Sequence, residues 1–511
     1  MPSNWETFPV EFRGGLISNM SPLQQGINAV GSATFLQNFE PSKEGGYKKV
    51  LGYEKRTADP VPGVGTVLGV KVINLSETVA VRSNGSVSVY HLDTGSGWST
   101  IATAAGLGGK VSGKDFNFSN THKVIFVDGL NYPAIFNDTT NTMSFLSSPA
   151  DIEGSQHVEI YKNIVFLSKG PNLIYSAPYD ETDYTPANGG GVINVGHTIT
   201  GLTVFRDQLI VFARNKILRL VGSSVADFQL LPITDAIGCI DGATIQEVGG
   251  DILFLAPDGL RFLGATDRFG DFALSVASSP IESDVLKFVR NSQKFSSVVI
   301  RGKAQYRIFG YIESENRRTA KGLIATKFID QSGEGMQWSE TKGIKAYCAD
   351  SRYVEGAEVI LVGADDGYIY RLEVGSSFDG EDIEAIYESP FMPINDPSIR
   401  KTLYKMTLYA DLKGTFSASV DFNFDLYKVS NYNTSQPPTI NLSSNSAGVF
   451  IYGASNTLYG TAIYGSNIDK VYNSPVIGSG KTFSFRIEDN STNPTFSLDT
   501  IVFEYASNDR T

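Results

Sequence analysis

The chain has 511 residues, of which 41% are apolar and 11% aromatic, but only 19% are charged. That length exceeds what one hydrophobic core usually supports, so two or three domains are expected. A formal charge of −12 excludes a chain drawn as a whole to nucleic-acid phosphates, while 51 glycines and 24 tyrosines suit many short strands joined by turns.

Residues 1–6 have neither the basic start nor the apolar core of a secretory signal. No stretch approaches the roughly 20 apolar residues of a membrane span. A soluble protein made in the cytosol, without membrane anchoring, is therefore expected. Residues 1–66 show little periodicity and many turn formers, among them Gly14-Gly15, Pro22, Gly31 and Gly45-Gly46. One short helix fits within 23–39, weakened by Gly31. An arm of this kind cannot be stable alone and is expected to lie on another domain or subunit.

From 67 to 376 one pattern recurs. Its cleanest copy is residues 251–263, an apolar run, a Pro257-Asp258-Gly259 turn and a second apolar run, which reads as an antiparallel hairpin. Residues 79–90 and 360–372 have the same form, and looser copies occupy 124–136, 164–175 and 209–220. The six starts are separated by 45, 40, 45, 42 and 109 residues. A spacing of about 40 to 45 is that of a four-stranded propeller blade. The long last gap holds residues 306–311, a candidate degenerate copy, so a propeller of about six or seven blades is expected.

Between these copies, residues 179–196 form a long acidic and glycine-rich loop carrying Asp180, Glu181, Asp183, Tyr184 and Gly189-Gly190-Gly191. Long loops in compact domains tend to be functional, which makes this one a candidate for inter-subunit contact or channel constriction. Residues 283–289 suit a short helix after Pro280, with Ser279 or Ser283 as cap, bridging two blades. Past a polar, acidic linker at 376–382 the strands resume. In 416–424, Phe416, Ala418, Val420, Phe422 and Phe424 alternate with polar residues, the period of a half-buried strand. Three apolar-Tyr-Gly triplets follow between 451 and 465, then strands near 481–487 and 498–505. Together 377–511 read as a β-sandwich.

The chemistry of catalysis is not apparent. His91, His122, His157 and His197 stand apart, without metal-ligand spacing, and so do Cys239 and Cys348, expected as buried thiols in a reducing compartment. Gly478-Ser479-Gly480-Lys481-Thr482 ends like a phosphate loop, but Tyr472 stands where its first glycine belongs, and a strand pattern follows instead of a helix. Asp93-Thr94-Gly95-Ser96-Gly97-Trp98 is similar to the aspartate box of sialidase propellers, but it occurs once and lacks the leading serine. Arg317-Arg318 with Lys321 is the one dense basic patch and fits a solvated loop. No enzyme, cofactor or metal is expected.

The run Phe12-Arg13-Gly14-Gly15-Leu16, then Asn38-Phe39-Glu40, then Gly45-Gly46-Tyr47-Lys48-Lys49 and Gly52-Tyr53 resembles the opening of the tail nozzle proteins of short-tailed bacteriophages. These are the tail tubular protein B type, also called tail stabilisation proteins. Similarity continues at residues 173–178, 199–202, 237–242 and in the C-terminal strands. The resemblance implies a virion structural protein in which a propeller at 67–376 is mounted on a platform built from the C-terminal region, 377–511, and the N-terminal arm, 1–66. It further implies a ring, six-fold in that family, attached to the adaptor or portal complex, in contact with tail fibres, and traversed by double-stranded DNA during ejection. A glycan- or host-receptor-binding propeller, with Trp98, Trp338 and tyrosines as stacking platforms, is the alternative reading; a propeller glycosidase is a further one.

Overall fold

Each of the six turn-punctuated segments folds as a pair of adjacent antiparallel strands, for instance Thr78–Ser83 with Ser88–Asp93 and Asp251–Ala256 with Gly259–Ala265. The computed structural model describes residues 5–147, 150–222, 224–265, 272–330, 333–426, 437–443 and 469–508. The molecule is all-β, with short helices at Pro22–Asn28 and Glu282–Asn291. In every case the hairpin supplies the two middle strands of a four-stranded antiparallel unit, or its second and third. Apolar residues on both faces of these middle strands, such as Val124, Ile125 and Phe126, are buried, because a neighbouring sheet lies on each side.

Seven such units follow one another along the described chain. They begin with the strands Val64–Val72, Ser112–Phe116, His157–Tyr161, Ile199–Phe205, Gln246–Val248, Lys294–Ile300 and Cys348–Val354. The strand Gln305–Tyr311 fills the long gap in the repeat and belongs to the sixth unit. Each unit shares an apolar cluster with the next: Val81 with Phe126, Ile125 with Leu167, Phe166 with Val211, Phe212 with Phe254. The fifth meets the sixth through Leu255 and Val299, the sixth meets the seventh through Ile324 and Ile360, and the seventh packs on the first through Leu361 and Val67. The seventh unit takes its fourth strand, Tyr53–Lys55, from the N-terminal arm.

Two larger sheets are formed among the remaining described residues. One orders Phe39–Pro41, Tyr47–Lys49, Phe496–Asn508, Arg400–Leu412 and Asp469–Gly480, with Glu6–Glu11 also paired to Phe496–Asn508. The other is a nine-stranded sheet in which the four strands of the sixth unit continue into Phe35–Gln37, Ile383–Glu388, Phe483–Ser491, Ser417–Phe424 and Ile440–Ser443. Phe422, Phe485 and Tyr387 of the second sheet pack with Phe503 and Met406 of the first, and with Phe12 just past the strand Glu6–Glu11, in one core. The alternation at 416–424 is realised, with Phe416, Ala418, Val420, Phe422 and Phe424 all buried.

Several expectations need adjusting. The arm does more than lie on the C-terminal strands, since Tyr53–Lys55 pairs with Ile369–Leu372, and the first strand of the first unit already begins at Val64. The early helix spans only Pro22–Asn28: Ser21 caps it by accepting from Gln24 N, and the extended strand Phe35–Gln37 replaces helix beyond Gly31. Neither Ser279 nor Ser283 caps the helix Glu282–Asn291; a 3-10 turn at Ser279–Ile281 leads straight into it, and it packs between the fifth and sixth units. The linker at 376–382 is docked, with Phe378 buried and Ser376 donating to Thr492 O. The three triplets between 451 and 465 lie outside the described residues.

Candidate functional site

The glycines and tyrosines of the arm motif meet where three parts of the chain converge. Gly14-Gly15 follows the strand Glu6–Glu11, and the run Gly45-Gly46 forms the turn between Phe39–Pro41 and Tyr47–Lys49, with Gly46 N donating to Phe12 O. Tyr47 is fully buried; its hydroxyl accepts from Gly15 N at 2.9 Å and donates to Gly31 O at 2.9 Å. Burial without a charge partner pushes its pKa well above the usual tyrosine value. Gly15 has φ +68°, and a Cβ there would sit 2.7 Å from Trp338 N, so only glycine lets the arm run along the last strand of the sixth unit.

Gly52 and Tyr53 fix the other end of the arm. A Cβ on Gly52 would lie 2.0 Å from Ser377 O, and its own backbone exchanges hydrogen bonds with Val374 and Gly375. Tyr53 stacks on Phe378 with ring centroids 4.9 Å apart and donates to Gly343 O at 2.9 Å. Arg317 lies over the Tyr53 and Tyr370 rings, and Arg318 makes two 2.9 Å bonds to Glu381. The basic patch is thus partnered by the linker that follows the seventh unit.

Buried charge pins the same junction. Glu40 on Phe39–Pro41 and Glu373 beyond the seventh unit both take Arg307 and Lys303 of the sixth, at 2.8 and 2.5 Å for Glu40 and 2.6 and 2.5 Å for Glu373. Burial alone would raise the Glu373 pKa, but the two cations outweigh it and hold it below the ordinary carboxylate range. Lys49 meets Asp489 at 3.2 Å with both side chains out of solvent. Burial lowers the Lys49 pKa and raises that of Asp489, each opposed by the other's charge. The Asn38 side chain donates to Lys342 O and Glu384 O and accepts from Lys342 N, stitching the sixth unit to the strand Ile383–Glu388.

The acidic loop at 179–196 divides. Tyr184 is buried in the cluster between the second and third units, and Glu181, also buried, pairs with Lys123 at 2.5 Å. Asp180 is exposed and Asp183 half-buried, and both bind their own loop, accepting from Thr182 N and Thr185 N at 2.8 Å each. Gly189 ends the 3-10 turn Pro186–Asn188, Gly190 packs against the Tyr184 backbone, and Gly191 opens the strand Gly191–Asn194. The side chains this loop leaves exposed are those of Tyr179, Asp180, Thr182, Thr185, Asn188 and Val192, among others, rather than Glu181 or Tyr184.

The histidines take unlike environments. His91 and His157 are pushed down to about 4 by burial. His122 is pushed up, chiefly by its hydrogen bond to Asp115 and against burial, with Asp138 adding to the rise. It stands 3.1 Å from Asp115 and 2.6 Å from Asp138, while Lys71 of the first unit and Arg352 of the seventh reach the same Asp115 at 2.8 and 3.0 Å. Among the described residues no three His, Cys, Asp or Glu side chains gather as metal ligands, and no helix is long and apolar enough to cross a membrane. Burial pushes both cysteine thiols up to about 12. Trp338 is fully buried and donates to Ala277 O, and Trp98 is half-buried and donates to Thr57.

No family model matches the chain, and no curated protein is significantly similar to it. Solved structures similar to it include the extracellular domain of the putative hybrid two-component system BT3049 from B. thetaiotaomicron, at 11% identity and a TM-score of 0.40. The match covers 63% of this chain, which spans 42% of that one, and at this score it carries no argument. What the motif reading passed over is the ionic junction. Arg307 was its visible signal, a lone charge inside the otherwise apolar and aromatic run Tyr306 to Tyr311.

Proposed function

We propose that the chain is a virion structural protein, the nozzle at the distal end of a short phage tail, six copies forming a ring that attaches to the adaptor or portal complex and through which the genome leaves. The observation that carries this reading is the braiding of the arm: its strands enter both larger sheets and the seventh small unit, and its motif glycines lie at those crossings. In this reading the seven units form a seven-bladed β-propeller and the two larger sheets a β-sandwich platform, with 1–66, 67–376 and 377–511 as arm, propeller and platform. A platform hydrogen-bonded to a blade suits a part that must keep its shape while a stiff polymer is driven past it. Its role is mechanical rather than enzymatic.

Six copies of a −12 chain carry −72 charges, and a channel of that sign repels phosphates, so duplex DNA would slide without adhering. A strongly basic channel wall would contradict this. The glycan-binding alternative needs exposed aromatic platforms; Trp338 is buried and cannot serve as one, whereas Tyr179 and Tyr353 are exposed. The test is electron microscopy of virions labelled with antibody against this chain: label at the tail tip supports the proposal, whereas label on the capsid or no label in the particle overturns it.

A further inference from the structure

The first strands of the first, second and seventh units meet in one charged cluster. Lys71, near the end of Val64–Val72, reaches Asp115 of Ser112–Phe116 at 2.8 Å and Asp350 of Cys348–Val354 at 3.5 Å. Asp350 also accepts from Val72 N at 2.9 Å. Arg352 donates to Ile73 O at 2.7 Å and to Asp115 at 3.0 Å. These contacts tie the last small unit to the first and the second, and so cross the seam that Leu361 and Val67 close on its apolar side.

His122, just ahead of the strand Lys123–Val127, stands in the middle of this cluster with a carboxylate on each ring nitrogen. Nδ1 is 2.6 Å from Asp138 and Nε2 is 3.1 Å from Asp115, while Arg352 Nη2 lies 3.3 Å from the same Nε2. Only an imidazolium can donate to both carboxylates. The neutral ring keeps one proton, and the shorter contact holds it on Nδ1, so that Nε2 becomes an acceptor that repels Asp115 and suits Arg352. One proton therefore decides whether Nε2 serves the carboxylate of the second unit or the guanidinium of the seventh. With it, Lys71, Arg352 and His122 balance Asp115, Asp138 and Asp350; without it the cluster is left net negative. The neighbouring charges are engaged elsewhere, Lys114 by Glu159, Lys123 by Glu181, and Glu77 by Asn74 and Asn141. The His122 side chain keeps 26% of its surface in solvent, so its proton can exchange with water while the chain stays folded.

We propose that His122 is a proton-operated latch on the seam between the first, second and seventh units. Protonated, it donates from Nε2 to Asp115 and holds the seam closed. On giving that proton to water it releases Asp115, accepts from Arg352 and lets the seam open locally. The raised pKa of His122, set chiefly by the Asp115 hydrogen bond, agrees in sign: the closed seam binds the proton more tightly than an open one, so opening becomes easier as pH rises. The latch belongs to the single chain and does not depend on the ring reading.

Hydrogen exchange followed by mass spectrometry across pH tests it. After correction for the intrinsic pH dependence of exchange, peptides covering Val64–Val72, Ser112–Phe116 and Cys348–Val354 should lose about tenfold in protection between about pH 6 and about pH 9. The strand Ile199–Phe205, in a unit outside the cluster, should show no such loss. His122→Gln, which keeps a side-chain donor but no titrating group, should abolish the difference. Protection that falls equally in all units, or a seam-specific fall that survives His122→Gln, would overturn the latch. Should that variant not fold, the nitrogen resonances of the His122 ring in the intact protein decide. Loss of the Nε2 proton in step with the fall in seam protection supports the latch, whereas a ring that keeps one protonation state, or loses its Nδ1 proton instead, overturns it.

Discussion

One oxygen, the Tyr47 hydroxyl, holds two backbone groups of the arm inside the core, Gly15 N and Gly31 O. Tyr47→Phe leaves both without their partner, and unfolding in urea should show a loss of about 1–3 kcal/mol. Gly52→Ala should cost more than the same change at Gly45: the new Cβ would meet Ser377 O at 2.0 Å, whereas nothing lies within 4 Å at Gly45. Two histidines set opposite pH dependences. His122 has a raised pKa when folded, so its contribution is complete below the ordinary value of about 6.5 and fades as pH rises through the folded value. His91, lowered to about 4, stays neutral in the fold while the unfolded chain takes a proton, so stability falls as pH drops from about 6.5 towards 4. Melting temperatures across pH should therefore show His122→Gln flattening the alkaline loss and His91→Gln the acid one. Unchanged slopes in both would contradict these assignments.

Turn chemistry was legible residue by residue, because Asp258-Gly259 or Asn84-Gly85 fixes a hairpin using only local geometry. The ionic junction was not, since Glu40 and Arg307 stand 267 residues apart in the chain and nothing local to either names its partner. The same limit applied to the acidic loop. Its composition suggested exposure, yet Lys123 and the second unit's core draw Glu181 and Tyr184 inward.

Among the elements, the strand Phe39–Pro41 has the most to hold, since Glu40 ties it to the sixth unit and Asn38 beside it ties that unit to Ile383–Glu388. Glu40→Ala would leave Arg307 buried with one carboxylate fewer, and the loss should be about 3–5 kcal/mol in denaturant unfolding. Adding Arg307→Met should recover part of it, because the two cations sharing Glu373 are then reduced to one; a double variant no better than Glu40→Ala would show that the charge was not the cause. The strand Tyr53–Lys55 is the second such element. It is the fourth strand of the seventh unit, with Tyr53 in the core that unit shares with the sixth, so Tyr53→Ala should expose the arm near residues 50–60 to limited proteolysis before the rest of the chain unfolds.

For the whole molecule, the repeat spacing made the series of small sheets readable in advance, while the nine-stranded sheet that fuses the sixth unit to the C-terminal strands left no periodic trace. That continuity is what makes a ring of rigid subunits mechanically reasonable, and the ring is the claim on which the functional reading depends. Averaged electron micrographs of the purified assembly, viewed down its axis, test it most directly. The account predicts a closed, rotationally symmetric ring with an open centre; a two-fold dimer, an open filament or single particles alone would contradict it.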